Sequence, residues 1–329
     1  MPKRLEAFVI YKCSCYNNQI QLPGGYMRYA IGIDIGGTKI AMGVVDELGN
    51  VLASQEFKNE VSKDPRDAVK QTSESISCMI DKSRIEGDFL GIGIGAPGPL
   101  NPNEGSLICP PNLPKWWDFN IVEEFRCYFS NPIRMENDAS VAALAEKWVG
   151  AGKDYEQLIY LTISTGIGAG IIINGRLYTG STGNAGDVGH MVIDASAGIC
   201  SCGQAGCFEW VASGTALARQ GTELLGSPVT PEEVLQLAKN GDRQLQLLID
   251  RLFLYIGSGC VSLINTFDPQ LVIIGGGISQ IGTPLFKAVN GYVQKYALNP
   301  SGRTIQVKPA QLKRNSGIVG AAALFLQNN

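Results

Sequence analysis

The stretch Tyr29-Ala30-Ile31-Gly32-Ile33-Asp34-Ile35-Gly36-Gly37-Thr38-Lys39-Ile40-Ala41-Met42-Gly43-Val44-Val45 decides the fold. β-Branched and small apolar residues on both sides of a Gly-Gly-Thr turn read as two strands. A Leu48-Gly49-Asn50 turn and the run Val51 to Phe57 add a third, giving a meander. The string lacks the spacing of a phosphate-binding P-loop, and a strand rather than a helix follows it, so the turn is a hairpin. Its glycines let a backbone approach an anion closely. The N–H groups of Gly36, Gly37 and Thr38, with Lys39, supply positive partners, and Asp34 at the strand end is suited to a hydrated magnesium ion. Taken alone, the same string is equally an ordinary Gly-Gly hairpin.

Outward from this hairpin, Asp64-Pro65 opens an amphipathic segment with Ala68, Val69, Ile76, Met79 and Ile80 on its apolar positions, a helix capped by Asp64. A strand is expected at Phe89 to Ala96, a long functional loop at Pro97 to Pro114, and a short strand from Ile133 to Asp138 running into a helix from Ala139 to Val149. The order then begins again. Leu158 to Ser164 is a strand, Thr165-Gly166-Ile167-Gly168 a turn, and Ala169 to Ile173 a strand ending at Asn174-Gly175. Helical patterns cover Val211 to Arg219, Pro231 to Lys239 and Arg243 to Phe267. Gln270 to Ile274 is a fully apolar strand, as a buried parallel strand should be, and ends in Gly275-Gly276-Gly277. A strand at Thr304 to Lys308 and a helix from Gly317 to Leu326 complete an α/β chain of two similarly built halves.

Gly93-Ile94-Gly95-Ala96-Pro97-Gly98 matches the G-x-G-x-x-G string of dinucleotide folds, but Pro99 and Pro102 forbid the helix that should open there. The dinucleotide reading is rejected.

Composition bounds the rest. The chain has 329 residues, 45% hydrophobic and 17% charged, with 27 Lys and Arg against 30 Asp and Glu, for a net charge of −3. Disorder is excluded by the apolar content, and a basic nucleic-acid binder by the charge. No stretch reads as the roughly 20 apolar residues of a spanning helix, so a cytoplasmic protein without membrane partners is expected. Nine cysteines, an odd count, suit a reduced chain that commits some thiolates to a metal. Residues 1–26 lack a clear period and read as an appendage: either a flexible tail or, because Met27 follows Gly24-Gly25-Tyr26, sequence upstream of a true start at Met27.

Two glycine hairpins, one from each half, together with a glycine-lined strand end for a nucleoside, form the pattern of the actin-like sugar-kinase ATPases. From Met27 onward the chain resembles the ROK family of repressors and sugar kinases. The residues that carry the resemblance are Asp34 to Lys39, Gly93 to Gly98, Pro111-Asn112-Leu113, Glu136-Asn137-Asp138-Ala139, Gly186-Asp187-Val188-Gly189-His190 and Cys200-Ser201-Cys202-Gly203-Gln204-Ala205-Gly206-Cys207-Phe208-Glu209. The resemblance implies a two-lobed actin-like ATPase (ribonuclease H-like) fold with duplicated halves and a cleft. One lobe would comprise residues 27–134 plus 314–329 and the other 135–313, with hinges near residues 131–134 and before the last helix. It also implies a homodimer.

The activity implied is transfer of the ATP γ-phosphate, with Mg2+, to a hydroxyl (the 6-hydroxyl) of glucose or an N-acetylhexosamine. Such transfer needs an aligned acceptor, charge stabilisation and a carboxylate to take the hydroxyl proton. Asp138 is assigned as general base, although read alone it is an N-cap for the following helix. By resemblance Asn112, Asn137, Asp187, His190 and Glu209 bind the sugar beside Asp138. Asp34, Gly36, Gly37, Thr38, Lys39, Thr165, Gly166, Gly168, Gly275, Gly276 and Gly277 bind the nucleotide. Asp187 stands where kinases of the family usually carry Glu, one methylene longer, which bears on the identity of the sugar. A sugar-responsive DNA-binding repressor is disfavoured, because the residues before Asp34 contain no helix-turn-helix pattern or basic face. A catalytically silent sugar sensor is the alternative.

His190, Cys200, Cys202 and Cys207 offer one imidazole and three thiolates within residues 190–207, a set suited to tetrahedral structural zinc. The glycines at 198, 203 and 206 permit the tight turns this needs. The remaining cysteines 78, 109, 127 and 260 are expected as small core residues.

Overall fold

The computed structural model describes residues 27–83, 85–312 and 314–327. The expected appendage at residues 1–26, and the question of a start at Met27, lie outside the described residues. The opening meander forms as read: β1 (Met27–Ile35), β2 (Lys39–Asp46) and β3 (Val51–Lys58) pair antiparallel, with Ile35 opposite Ile40 at the turn. The Asp64 carboxylate accepts the Arg66 N–H at 2.9 Å and opens α1 (Pro65–Ser83). After α1, β4 (Gly87–Ala96) lies parallel beside β1.

The stretch from Pro97 to Pro114 is more ordered than the expected loop. β5 (Leu100–Asn101) and β6 (Ser106–Leu107) join β7 (Phe119–Asn120) in a small sheet, and the buried Leu113 and Trp116 seat the intervening chain. The short helix α2 (Ile121–Arg126) follows, capped by Asn120 Oδ1 on the Glu123 N–H at 2.9 Å. Six residues are too few to show a helical period in a sequence, so α2 was not expected. β8 (Ile133–Asn137) then completes a five-stranded sheet in the order β3-β2-β1-β4-β8 and leads into α3 (Asp138–Val149). The lobe boundary expected after residue 134 would cut β8, which pairs with β4 as far as Asn137, so we draw it after Asn137.

The second half repeats this topology. β9 (Leu158–Ile163), β10 (Ile167–Ile173) and β11 (Arg176–Leu177) form a meander. α4 (Phe208–Ala212), α5 (Gly214–Leu225), α6 (Pro231–Lys239) and α7 (Arg243–Phe267) precede β12 (Leu271–Gly275), α8 (Thr283–Tyr296), β13 (Gln306–Pro309) and α9 (Ser316–Leu326). The sheet order β11-β10-β9-β12-β13 is that of the first half, with parallel strands added on one side of an antiparallel meander. The helix expected over residues 211–219 is broken at Ser213. Its Oγ caps α5 on the Ala216 N–H at 3.1 Å, while the Gly214 N–H turns away to the Ser164 carbonyl.

α9 returns to the first sheet and packs on β1, β4 and α3. Its Ile318, Val319 and Leu324 are buried, each contributing roughly 1.5–3 kcal/mol on an apolar-area scale. The approach is close because Gly93 on β4 has no side chain: the Ala321 carbonyl lies where a Cβ would stand. The G-x-G string rejected as a dinucleotide loop is thus a helix-packing surface.

Two further expectations are corrected. α7 does have the length and composition of a membrane span, with a mean hydropathy of 1.7 over its most apolar window, although the sequence suggested no such stretch. Half of that window is buried within the fold, where Leu245, Leu248, Leu252, Ile256, Leu263 and Ile264 belong to the second core. Of the cysteines expected in the core, Cys260 is buried but Cys78, Cys109 and Cys127 are exposed. For Cys78 the reason is helical phase: Val69, Ile76 and Met79 face the core from α1, and apolar sequence neighbours do not share a helix face.

Candidate active site

The turn between β1 and β2 is held from behind by Asn59. Its N–H donates to the Thr38 carbonyl at 2.9 Å and its Nδ2 to the Gly36 carbonyl at 2.8 Å, while the Gly36 N–H meets the Lys39 carbonyl at 2.9 Å. A single Asn after a strand carries no pattern, so this brace was not legible in the sequence. Gly37 packs against Asn112, which brings the Pro111-Asn112-Leu113 motif to the turn. Lys39 is exposed and pairs with Glu56 at 2.8 Å, away from the turn N–H groups. Asp34, the last residue but one of β1, holds its carboxylate against Gly317, at the first turn of α9, whose positive end favours a negative charge. Burial raises the Asp34 carboxyl above its ordinary range, opposed by the charge of Lys39.

The turn between β9 and β10 carries Thr165, Gly166 and Gly168. Here the main contact is Glu209 on α4, whose Oε2 accepts the Ile167 N–H at 2.8 Å and occupies the space a Cβ at Gly166 would need. β12 ends beside this turn: Gly275 pairs with Thr162 and Gly276 packs on the Ile163 backbone, while Gly277 faces open space. The second turn and the end of β12 therefore lie side by side on the second sheet.

Asp138 begins α3, but Asn137 is the N-cap. Asn137 Oδ1 accepts the Ala139 N–H at 2.9 Å and the Ser140 N–H at 3.4 Å. Asp138 Oδ1 adds a bond from the Ala139 N–H at 2.7 Å. Burial first, then the charges of Asp34 and Asp187, raise the Asp138 carboxyl to about 6. Asp138 nonetheless remains exposed to solvent on one side. Burial also raises Asp187, opposed by the charge of His190. The charges of Asp34, from one lobe, and Asp187, from the other, thus both reach Asp138.

Two neighbours were missed. Asn184 Oδ1 accepts the Leu100 N–H at 3.2 Å and its Nδ2 donates to the Leu100 carbonyl at 3.0 Å, tying the loop before Asp187 to the loop after Gly98. Glu136 is partly buried, and its Oε2 lacks a hydrogen-bond partner among the described residues. Desolvation raises it to about 7. Neither the loop clamp nor the orphaned oxygen has a local sequence signature.

The side chains of His190, Cys200, Cys202 and Cys207 converge, their ligand atoms all within 4.8 Å of one another. Cys200 Sγ is 3.8 Å from His190 Nδ1, and Cys202 Sγ is 3.5 Å from Cys207 Sγ. Tetrahedral zinc with bonds near 2.3 Å needs sulfur–sulfur edges of about 3.8 Å, so the set fits that ion. Nδ1 is the ring nitrogen on the thiolate side, which leaves Nε2 for another partner. Burial, then the neighbouring Cys202 and Cys200, raise the Cys207 thiol, so a thiolate there calls for a cation.

A repeated half of this topology, with a glycine turn at the same place in each half, defines the two-lobed, actin-like ATPase fold. The chain belongs to the ROK family, whose profile it matches over residues 30–328. It is 33% identical over 309 residues to a glucokinase of Thermotoga maritima, an alignment covering 90% of this chain and 96% of that one. It is 30% identical over 312 residues to a xylose repressor of Caldicellulosiruptor bescii, covering 91% of this chain and 78% of the repressor. Among solved structures, a ROK family glucokinase from Streptomyces griseus in complex with glucose and AMPPNP aligns with a TM-score of 0.75 at 30% identity, covering 91% of this chain and 100% of the other.

Proposed function

We propose that the chain is an ATP-dependent sugar kinase, transferring the γ-phosphate to a hydroxyl, the 6-hydroxyl, of glucose or an N-acetylhexosamine. The observation that carries this reading is Asp138: a carboxylate on the cleft, one residue past the N-cap Asn137 and raised to about 6, near the pH at which a general base works best. In this reading Asp138 takes the acceptor proton as the hydroxyl attacks the γ-phosphorus and the bond from that phosphorus to the β,γ-bridging oxygen breaks, releasing ADP. Asn112, Asn137, Asp187, His190 and Glu209 orient the sugar, and the N–H groups of the turns at Gly36 to Lys39 and Thr165 to Gly168 receive the phosphates. Mg2+ held through Asp34 would supply charge neutralisation to the phosphate oxygens. His190, Cys200, Cys202 and Cys207 hold a structural zinc ion, with no position left open for water.

A coupled assay across hexoses and N-acetylhexosamines with magnesium and ATP tests the reading. Turnover of glucose or an N-acetylhexosamine is the expected result. The alternative, a sugar-sensing regulator, is favoured by Asp187 and by the similarity to a repressor. Sugar binding without turnover on any acceptor would select it.

A further inference from the structure

The turn at Ser164 to Gly168 is gripped from one short segment of chain. Glu209 of α4 takes the Ile167 N–H through Oε2 at 2.8 Å, and Gly214, just beyond α4, donates its N–H to the Ser164 carbonyl at 2.6 Å. α4 is itself fastened at its start, where Cys207 is the N-cap residue, and at its end, where the Ser213 N–H meets the Glu209 carbonyl at 3.2 Å. Glu209 Oε1 takes no protein hydrogen bond among the described residues. The Glu209 carboxylate therefore has one oxygen on the second phosphate turn and one oxygen to spare.

From this geometry we infer that Glu209 is a positioning residue for the nucleotide as well as a ligand of the sugar. It fixes the second phosphate turn, so that an acceptor hydroxyl on Oε1 and a phosphate on the turn reinforce one another. A charge-assisted bond from a carboxylate to a backbone N–H is stronger than a neutral one, and it also withdraws the Ile167 N–H from competing conformations of the turn. Gly166 is part of the device, because any side chain there would displace the Glu209 carboxylate. The inference rests on the kinase reading for its sugar half, whereas its nucleotide half is tested separately.

The experiment is titration of Mg–AMPPNP into the zinc-loaded full chain, without sugar and then with a saturating acceptor, for the wild type, Glu209→Ala, Glu209→Gln and Gly166→Ala. In the wild type, the acceptor should tighten nucleotide binding. Glu209→Ala should weaken sugar-free nucleotide binding about tenfold or more, the size of one lost charge-assisted hydrogen bond. Glu209→Gln, whose amide oxygen can still accept from Ile167, should restore most of the nucleotide affinity while leaving sugar binding impaired. Gly166→Ala should weaken the sugar although it lies in the phosphate turn. Unchanged sugar-free nucleotide affinity in a folded Glu209→Ala chain overturns the inference, as does failure of Gln to rescue it. Nucleotide binding that depends on Glu209 with no turnover on any sugar would instead sink the kinase reading and leave this one standing.

Discussion

The carboxylates of Asp34, the last residue but one of β1, and Asp138, the first of α3, share one field, so that the charge of Asp34 adds to burial in raising Asp138. Repulsion of this kind is relieved by a cation beside Asp34 or by a proton on Asp138.

Asp138→Asn should remove the proton acceptor while keeping the shape of the helix start, which Asn137 caps. The expected loss in turnover is about a hundredfold to ten-thousandfold, with sugar affinity changed only a few-fold. Retained turnover in the coupled assay would refute the assignment of Asp138 as base.

The reaction should also show an acid limb. Asp138 must be ionised to accept a proton, and its carboxyl is raised to about 6, so kcat/KM should fall as pH drops through that region. A pH–rate profile with magnesium and ATP saturating checks this. A flat profile down to pH 5 would mean that another group takes the proton.

Glu136→Gln should stabilise the fold near neutral pH. Glu136 is raised from an ordinary 4.5 to about 7 by burial, and its Oε2 has no partner among the described residues. The native state therefore binds the proton more tightly than the unfolded chain: the favourable contribution is complete below the unfolded value and is lost as pH rises through about 7. The gain from Gln should be on the order of 1–3 kcal/mol at pH 8 and should vanish near pH 4. Thermal melts of both chains across that range report it, and an equal difference at both ends would count against the pH-linked cost.

Metal analysis of the purified chain should find near-stoichiometric zinc, and Cys207→Ser should lower both the zinc content and the melting temperature. The buried Cys207 is at once a ligand candidate and the N-cap residue of α4. A zinc-free protein of undiminished stability would remove the metal from the account.

Gly93→Ala should destabilise the first lobe by about 3 kcal/mol or prevent folding, because its Cβ would overlap the Ala321 carbonyl on α9. Gly291→Ala is the control: among the described residues a Cβ there meets nothing within 4 Å, and Ala is the better helix former inside α8. Comparable losses in the two variants would contradict the packing seen between β4 and α9.

Much of this protein was determined by its sequence alone. The meander of β1 to β3, its repetition at β9 to β11 and the apolar β12 follow from local alternation and turn chemistry, which a strand expresses in its own residues. The spacing of His190, Cys200, Cys202 and Cys207 likewise announces a ligand set, because tight turns bring near neighbours in sequence together. The tertiary structure decided what no local pattern encodes. Asn137 rather than Asp138 caps α3, Cys78, Cys109 and Cys127 face outward, and the Gly93 string serves helix packing. Asn59 and Asn184 brace loops distant in sequence, and Glu209 crosses 42 positions to hold the turn at Ile167. Each of these depends on where a second segment arrives. That is fixed by burial and close approach in three dimensions, and periodicity along one chain carries no record of it.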